Sequence, residues 1–335
     1  MSGSLLEVRK RIAGVQNTSK ITAAMQLVAA SKMRQFQKRA INARHYTWDF
    51  FEVLQNTLGR DEDCSDGETI YTQNRVSGKT LFVLYTSDKG LCGPLNNKLI
   101  NTLFKSNKWN DLSSEDRLLI TIGKKSYSYA QNHKIPIYKD FVGLPEKITN
   151  LEVIKIIDVI LDLWKFGVNR EKSEAAEEVD EEAVDMDFDM NADPENQIKE
   201  VIFIAPHYKN SFTFYPVVKR FLPLTEETII TNLHVSEEEN RDIKKPESDY
   251  MIYSPSEETV IKRLHEFIIQ GMFIQAFLEL KASEYSSRMI AMQNATDAAH
   301  RIMGELKLSY NKARQQAITQ EIAELVGASM AIESE

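Results

Sequence analysis

An α/β protein with long terminal helices is predicted: an antiparallel coiled coil of the N- and C-terminal helices plus a Rossmann-like central domain. The basis is threefold. Proline costs about 3 kcal/mol inside a helix, and all nine prolines lie between Pro94 and Pro255, leaving 93 residues before them and 80 after them free for uninterrupted helix. A line of uncharged residues runs through the C-terminal segment at coiled-coil spacing. Between the two ends, strand-like apolar runs alternate with helix-like ones, the pattern of a mostly parallel sheet with an antiparallel edge.

The C-terminal helix follows from its seam. Stepping alternately by three and four from Ile261 meets Leu264, Ile268, Gly271, Gln275, Leu278, Ala282, Tyr285, Met289, Met292, Thr296, Ala299, Met303, Leu306, Tyr310, Ala313 and Ala317. No charge falls on that line over eight heptads of a segment otherwise rich in Lys, Arg, Asp and Glu, which argues for a coiled coil. At 1.5 Å per residue, Ser256 to Ala331 would reach roughly 110 Å. The N-terminal helix is shorter and less regular. Leu5, Val8, Ile12 and Val15 share a stripe, the polar stretch 16–20 interrupts it, and Ile21, Met25 and Val28 resume it before Met33 and Phe36. Helices this long at both ends need each other, and a compact middle that returns the chain to its start makes the pair antiparallel. The segments are residues 1–58, 75–250 and 256–332.

Within the middle, Thr80–Tyr85 reads as a strand, followed by the turn Ser87–Gly93 and a helix near Pro94. Leu118–Ile122 is a second strand, Gly123 leads into a helix through Tyr127 and Ala130, and Ile135–Tyr138 is a third strand. A helix from Leu151 to Phe166 carries Val153, Ile156, Ile157, Ile160, Leu161 and Trp164. Glu200–Ala205 and Phe212–Val218 form a strand pair joined around Lys209 and Asn210.

Composition is ordinary for a globular chain, with 42% hydrophobic and 27% charged residues among 335, enough for about two domains and against global disorder or a collagen-like fibre. The net charge of -8 hides an asymmetry. Residues 171–195 alone sum to -11, so the remainder sums to +3; this run (171–197 with its flank) has little to bury and reads as a disordered, solvated insertion or else a regulatory or partner-binding tail. The first fifty residues carry nine Lys or Arg against Glu7 and Asp49, a face suited to an acidic partner. Two cysteines, Cys64 and Cys92, supply neither a disulfide framework nor a four-ligand zinc site. With no h-region at the start and no eighteen-residue apolar run, the chain is expected neither to be secreted nor to span a membrane by itself.

Catalysis has no positive sign. The turn Ser87–Gly93 lacks both G-x-G-x-x-G and G-x-x-x-x-G-K-[ST], and Pro94 removes a backbone donor from the helix start; it reads as a tight βα turn using Gly90 and Gly93 for their conformational freedom. The six histidines show no metal-ligand spacing, no G-x-S-x-G elbow occurs, and Cys92 reads as a small buried apolar residue. Instead, Ala23, Ala24, Ala29, Ala30, Ala295, Ala298 and Ala299 keep the helix pair slender, while Lys20, Lys32, Arg34, Arg288 and Arg314 lie off the seam as solvated faces or, taken together, as a binding surface.

Four blocks then carry a resemblance. Ile12–Met25 (IAGVQNTSKITAAM) continuing through Val28–Arg34, Ser87–Gly93 (SDKGLCG), Arg288–Thr296 (RMIAMQNAT) and Tyr310–Ile322 (YNKARQQAITQEI) together resemble the gamma-subunit family of F-type ATP synthases, in family order and over nearly the whole chain. The resemblance implies a central rotor shaft that penetrates a ring of alpha and beta subunits, with the α/β domain on the membrane c-ring beside the epsilon subunit; no cofactor, metal, nucleic acid or direct membrane insertion is implied. It assigns Met25, with Lys20, Lys32 and Arg34, to the acidic lever segment of a beta subunit. Arg314, Gln315 and Thr319 become a catch with beta, and Arg288 and Glu321 supporting contacts. The uncharged turns Leu325–Ile332 suit a tip in an apolar sleeve. The acidic run exceeds the family pattern, and the chloroplast dithiol segment has no counterpart. With no transit peptide visible, the cytoplasmic face of a bacterial plasma membrane is implied, or alternatively an organellar inner membrane. Read from the residues alone, a coiled-coil adaptor and an α/β enzyme with helical dimerisation arms stay open.

Overall fold

Leu81–Tyr85 would be apolar on both faces of a strand, which requires a central place in a covered sheet. In the computed structural model, which describes residues 2–58, 69–145, 150–168, 196–210, 213–233 and 253–333, they take that place. The elements are α1 (Ser2–Leu58), β1 (Lys79–Tyr85), α2 (Leu95–Phe104), α3 (Asn107–Asn110), β2 (Arg117–Ile122), α4 (Lys124–Asn132), β3 (Lys139–Phe141), α5 (Asn150–Phe166), β4 (Ile198–Asn210), β5 (Thr213–Leu222), α6 (Glu226–Leu233) and α7 (Glu257–Glu333). The acidic run 171–195, Cys64 and residues 211–212 lie outside the described residues.

The sheet order is β3-β2-β1-β4-β5. β1 pairs in parallel with β2 (Phe82 opposite Leu119) and with β4 (Phe82 opposite Ile202), and β4 pairs antiparallel with β5 (Ile204 opposite Val218). This is the mostly parallel sheet with an antiparallel edge expected from the alternation of elements. The third strand differs from expectation. It occupies Lys139–Phe141 rather than 135–138, because Pro136 has no N–H to give the ladder and pairing starts only where the Tyr138 N–H reaches the Leu119 carbonyl. The six apolar residues named on α5 are all buried.

The chain forms two compact units: residues 1–32, 91–93 and 285–335 in the first, residues 33–90 and 94–284 in the second. The first is a helix pair plus one short turn. Two hydrogen bonds fix its direction. Ser19 Oγ lies 3.4 Å from His300 Nε2 and Thr22 Oγ1 lies 2.7 Å from Thr296 Oγ1, so advancing along α1 means retreating along α7: the pair is antiparallel. Among the described residues 301–327, only Met303, Leu306, Tyr310, Ala313 and Ala317 are shielded, and they are the last five seam positions read from the sequence.

On α1 the seam departs from expectation. From Val15 it steps to Ser19 and Thr22, both buried, and then to Ala29, while Ile21 and Val28, expected to resume the stripe, are 60% and 56% exposed. The spacing of three and four decides which residues face the partner; the hydroxyls are tolerated there because each finds a partner.

In the second unit the same two helices pack with the sheet, and from Ile268 to Glu284 no residue of α7 is exposed. Ile268, Ile269, Met272, Phe273, Phe277 and Leu280 are all buried, as expected of a helix apolar all round. The Tyr85 ring lies 5.6 Å from that of Phe277 and 6.3 Å from that of Phe273, and the Phe203 ring lies 5.7 Å from that of Phe273. Close approach of the helices is set by Gly271, where an added Cβ would lie 2.2 Å from Thr47 Oγ1. Gly123, at φ 95°, is needed between β2 and α4, since a Cβ there would meet the Thr86 carbonyl oxygen at 2.1 Å.

Gly271→Ala should therefore destabilise the full chain by about 1–3 kcal/mol through overpacking, read as a lower denaturant midpoint. Thr47→Ala in the same chain should return most of that loss; an unchanged midpoint for Gly271→Ala alone would contradict the close crossing.

Candidate functional site

The residues assigned above to partner contacts fall into three settings. Lys20 and Arg34 are exposed on α1 and Met25 is half-buried. Arg314, Gln315, Thr319 and Glu321 are all exposed on α7. The Thr319 hydroxyl donates to the Gln315 carbonyl at 2.9 Å, so these two side chains stand one turn apart on one face, while Arg314 and Glu321, two turns apart, share another. Lys20, Met25 and Lys32 on α1, together with Arg288 and the Arg314–Glu321 group on α7, belong to the first compact unit; Arg34 belongs to the second.

Arg288 does not behave as a solvated face. It is 7% exposed, and its guanidinium lies 5.1 Å from the centre of the buried Tyr285 ring, which also receives the Lys32 ammonium at 5.5 Å. The reason is local: the turn Leu91–Gly93 packs against this part of α7, with the Ser287 hydroxyl donating to the Cys92 carbonyl and Gly93, at φ 55°, leaving only 3.2 Å between an added Cβ and Ser287 Oγ. Arg288 is thus held within the first unit. Two cations on one ring give attraction of about 0.5–2 kcal/mol each, enough to orient both side chains.

The glycine turn is structural. The Ser87 N–H donates to Asn96 Oδ1 at 3.0 Å, and Asp88 Oδ1 accepts the N–H groups of Lys124 at 2.9 Å and Gly143 at 3.2 Å. The Ser87 N–H of the turn and the Lys124 N–H at the start of α4 are thus spent on side chains of the chain itself. Gly93 has the positive φ expected of it, but Gly90 does not; Leu91 takes the left-handed conformation instead, at φ 60°. Cys92 is buried, as its apolar reading required. Among the described residues no group of three or more His, Cys, Asp or Glu side chains is placed to hold a metal ion, and no helix is long and apolar enough to cross a membrane.

Sequence reasoning read the tip from Leu325 as apolar but missed the rest of an apolar surface. Ile21, Leu27 and Val28 on α1, and Leu308, Ile318 and Leu325 on α7, are large, apolar and exposed. Each lies off its seam. That was the available signal: a helix pair buries one stripe per helix, so apolar residues in excess of the stripe must face outward, where a run of them marks a surface awaiting a partner.

A family model described as ATP synthase matches residues 4–332. The ATP synthase gamma chain of Symbiobacterium thermophilum is 33% identical over 329 residues, covering 97% of each chain. That of Clostridium novyi is 30% identical over 335 residues, covering 99% of this chain and 100% of its own. Among solved structures, a chain of the Euglena gracilis mitochondrial ATP synthase (OSCP/F1/c-ring, rotational state 3) superposes with a TM-score of 0.62 at 18% identity, over 100% of this chain and 96% of that one, a likeness of fold.

The Thr22–Thr296 pair should behave as a coupled unit. Thr22→Val or Thr296→Val alone is expected to cost about 1 kcal/mol, because the remaining hydroxyl loses its partner across the seam, and the double variant should cost less than the sum of the two. Strictly additive losses in denaturant melts of the full chain would contradict a hydrogen bond across the helix pair.

Proposed function

The chain belongs to the ATP synthase family as a gamma chain, the central-stalk subunit of that enzyme, and on that premise we propose that it is the rotor shaft of an F-type complex. In this reading it couples ion-driven rotation of the membrane c-ring to ATP synthesis or hydrolysis in a hexameric ring of alpha and beta subunits, with the epsilon subunit beside its α/β domain. Residues 1–58 and 256–332 supply the shaft helices and residues 75–250 the domain that meets the c-ring. The chain itself contributes no catalytic residue; the chemistry belongs to the ring. It is peripheral, held at the cytoplasmic face of a bacterial plasma membrane by its partners. Family membership sets aside the adaptor and the dimerising enzyme. The observation that carries the proposal is the match to gamma chains at 30–33% identity over essentially the full length of each chain.

Coupling is a matter of differential contact. Each orientation of an asymmetric shaft stabilises one state of a neighbouring catalytic site over another, and only a difference in contact free energy can do so. Driving a two-state site from 1:99 to 99:1 takes about 5.5 kcal/mol. An exposed ion pair supplies about 0.2–1 kcal/mol, so Lys20, Lys32 and Arg34 cannot do this alone. Burying a large apolar side chain is worth about 1.5–3 kcal/mol. The exposed residues Ile21, Leu27 and Val28, beside Lys20 and Met25, therefore supply most of the contact energy, and the cations select the acidic segment they meet. At the other end of the first unit's α7 segment, Arg314, Gln315 and Thr319 act as a polar catch, with Glu321 as a supporting contact. Arg288, being buried, supports the surface from beneath through Tyr285.

Co-purification with identification of the alpha, beta, epsilon and c-ring subunits tests the assignment directly; a chain that purifies without them would count against it. Arg314→Glu with Gln315→Leu turns an attraction into a repulsion, a change of about 1–2 kcal/mol or roughly tenfold in coupled ATP synthesis. Equal synthesis by wild type and double variant would remove the catch. Deletion of residues 171–195 is expected to leave assembly and synthesis intact, and a complex that no longer assembles would make the acidic run structural.

A further inference from the structure

Within the second unit, one buried carboxylate joins elements that are far apart in sequence. Glu279 on α7 has a side chain only 6% exposed. Its Oε1 lies 3.6 Å from Arg44 Nη2 on α1 and accepts from Gln275 Nε2 at 3.1 Å; its Oε2 lies 3.1 Å from His207 Nδ1 on β4. Next to it on β5 is Lys219, whose buried ammonium donates to the Asn232 carbonyl on α6 at 3.1 Å. Burial lowers the Lys219 pKa to about 8 while the Glu279 charge opposes that fall.

We infer that Glu279 is a positioning residue for rotation, a pin that fixes both terminal helices to the β4–β5 edge of the sheet. The inference deepens the shaft reading and rests on it for its functional consequence. Buried charges are poor stabilisers, since desolvation offsets most of their attraction and apolar side chains of equal volume often hold a core as well. What charges add is register, because an ion displaced from its partners loses its compensation while a sliding apolar surface loses little. The apolar packing beside Glu279 is not completely filled. Phe203, Ala205, Val217, Phe221, Met272 and Ala276 border a cavity of about 20 Å³, room for one or two waters. A buried oxygen of Gln275, Oε1, has no hydrogen-bond partner among the described residues, as expected where water completes the site. The helices that must carry torque are therefore held to the sheet by direction-sensitive contacts at Glu279.

The test uses the full chain and the assembled complex. In a Cys64→Ser background, nitroxide labels at Tyr215→Cys on β5 and Phe267→Cys on α7, both exposed positions, report the distance distribution between helix and sheet. Glu279→Gln, which keeps the shape and loses the charge, should broaden it about twofold, and Glu279→Asp should restore part of the wild-type width. The apolar set Arg44→Met, Lys219→Met and Glu279→Leu should broaden it equally with an unchanged melting midpoint. In the complex, Glu279→Gln should raise the angular fluctuation of a bead on the sheet unit about twofold at an unchanged hydrolysis rate. An unchanged width, or broadening only in step with a lower melting midpoint, would overturn the pin; a broadened width with unchanged bead fluctuation would overturn its role in rotation. A wild-type complex that hydrolyses ATP without turning the bead would sink the shaft reading, and the label distances would still judge the pin.

Discussion

Two helices packed only on each other can bury one stripe apiece. That geometric limit governs the first unit: from Met303 to Ala317 every third or fourth residue is shielded and the rest face outward. The stripe tolerates no charge, since an ion there would have no solvent and only one neighbour to pair with. Everything off the stripe is free to carry information for partners, which is how Lys20, Ile21, Leu27 and Val28 come to share one exposed region while Ser19 and Thr22, more polar than their neighbours, are buried.

The same helices obey a different rule in the second unit. There the sheet supplies a further covering surface, so α7 from Ile268 to Glu284 exposes no residue and its residues off the seam become core. One helix thus changes from one shielded stripe to cover on all sides along its length, and the change falls close to Glu279, Lys281 and Glu284, charged residues that are nevertheless buried. Lys281 and Glu284 pair at 3.3 Å, and Glu279 gathers Arg44, His207 and Gln275. Charges at this depth are compensated in place, and their value lies in fixing positions more than in adding stability.

Much of this was legible in the sequence. The seam announced itself by the absence of charge at seventeen successive positions spaced by three and four, a signal that does not depend on knowing the partner. β1, α5 and the β4–β5 hairpin were marked by apolar runs that only a sheet or a covered helix can use. What was not legible depended on groups far away in the chain. Ser19 and Thr22 look like an interruption until His300 and Thr296 are placed opposite them. Arg288 looks solvated until folding leaves it 7% exposed against the Tyr285 ring. Likewise α6, with two acidic residues in its first turn and only eight residues in all, was too short for periodicity to reveal. The candidate contact residues came from family blocks, and their exposure, or in the case of Arg288 its burial, could be read only from packing.

The central claim is that this chain turns and that its angle sets the state of the catalytic sites around it. The most direct measurement attaches a bead to an exposed cysteine on the α/β portion of the chain in a surface-fixed complex and follows it during ATP hydrolysis. Unidirectional stepping that halts when hydrolysis is inhibited is the expected result. Sustained hydrolysis with the bead stationary would contradict the account.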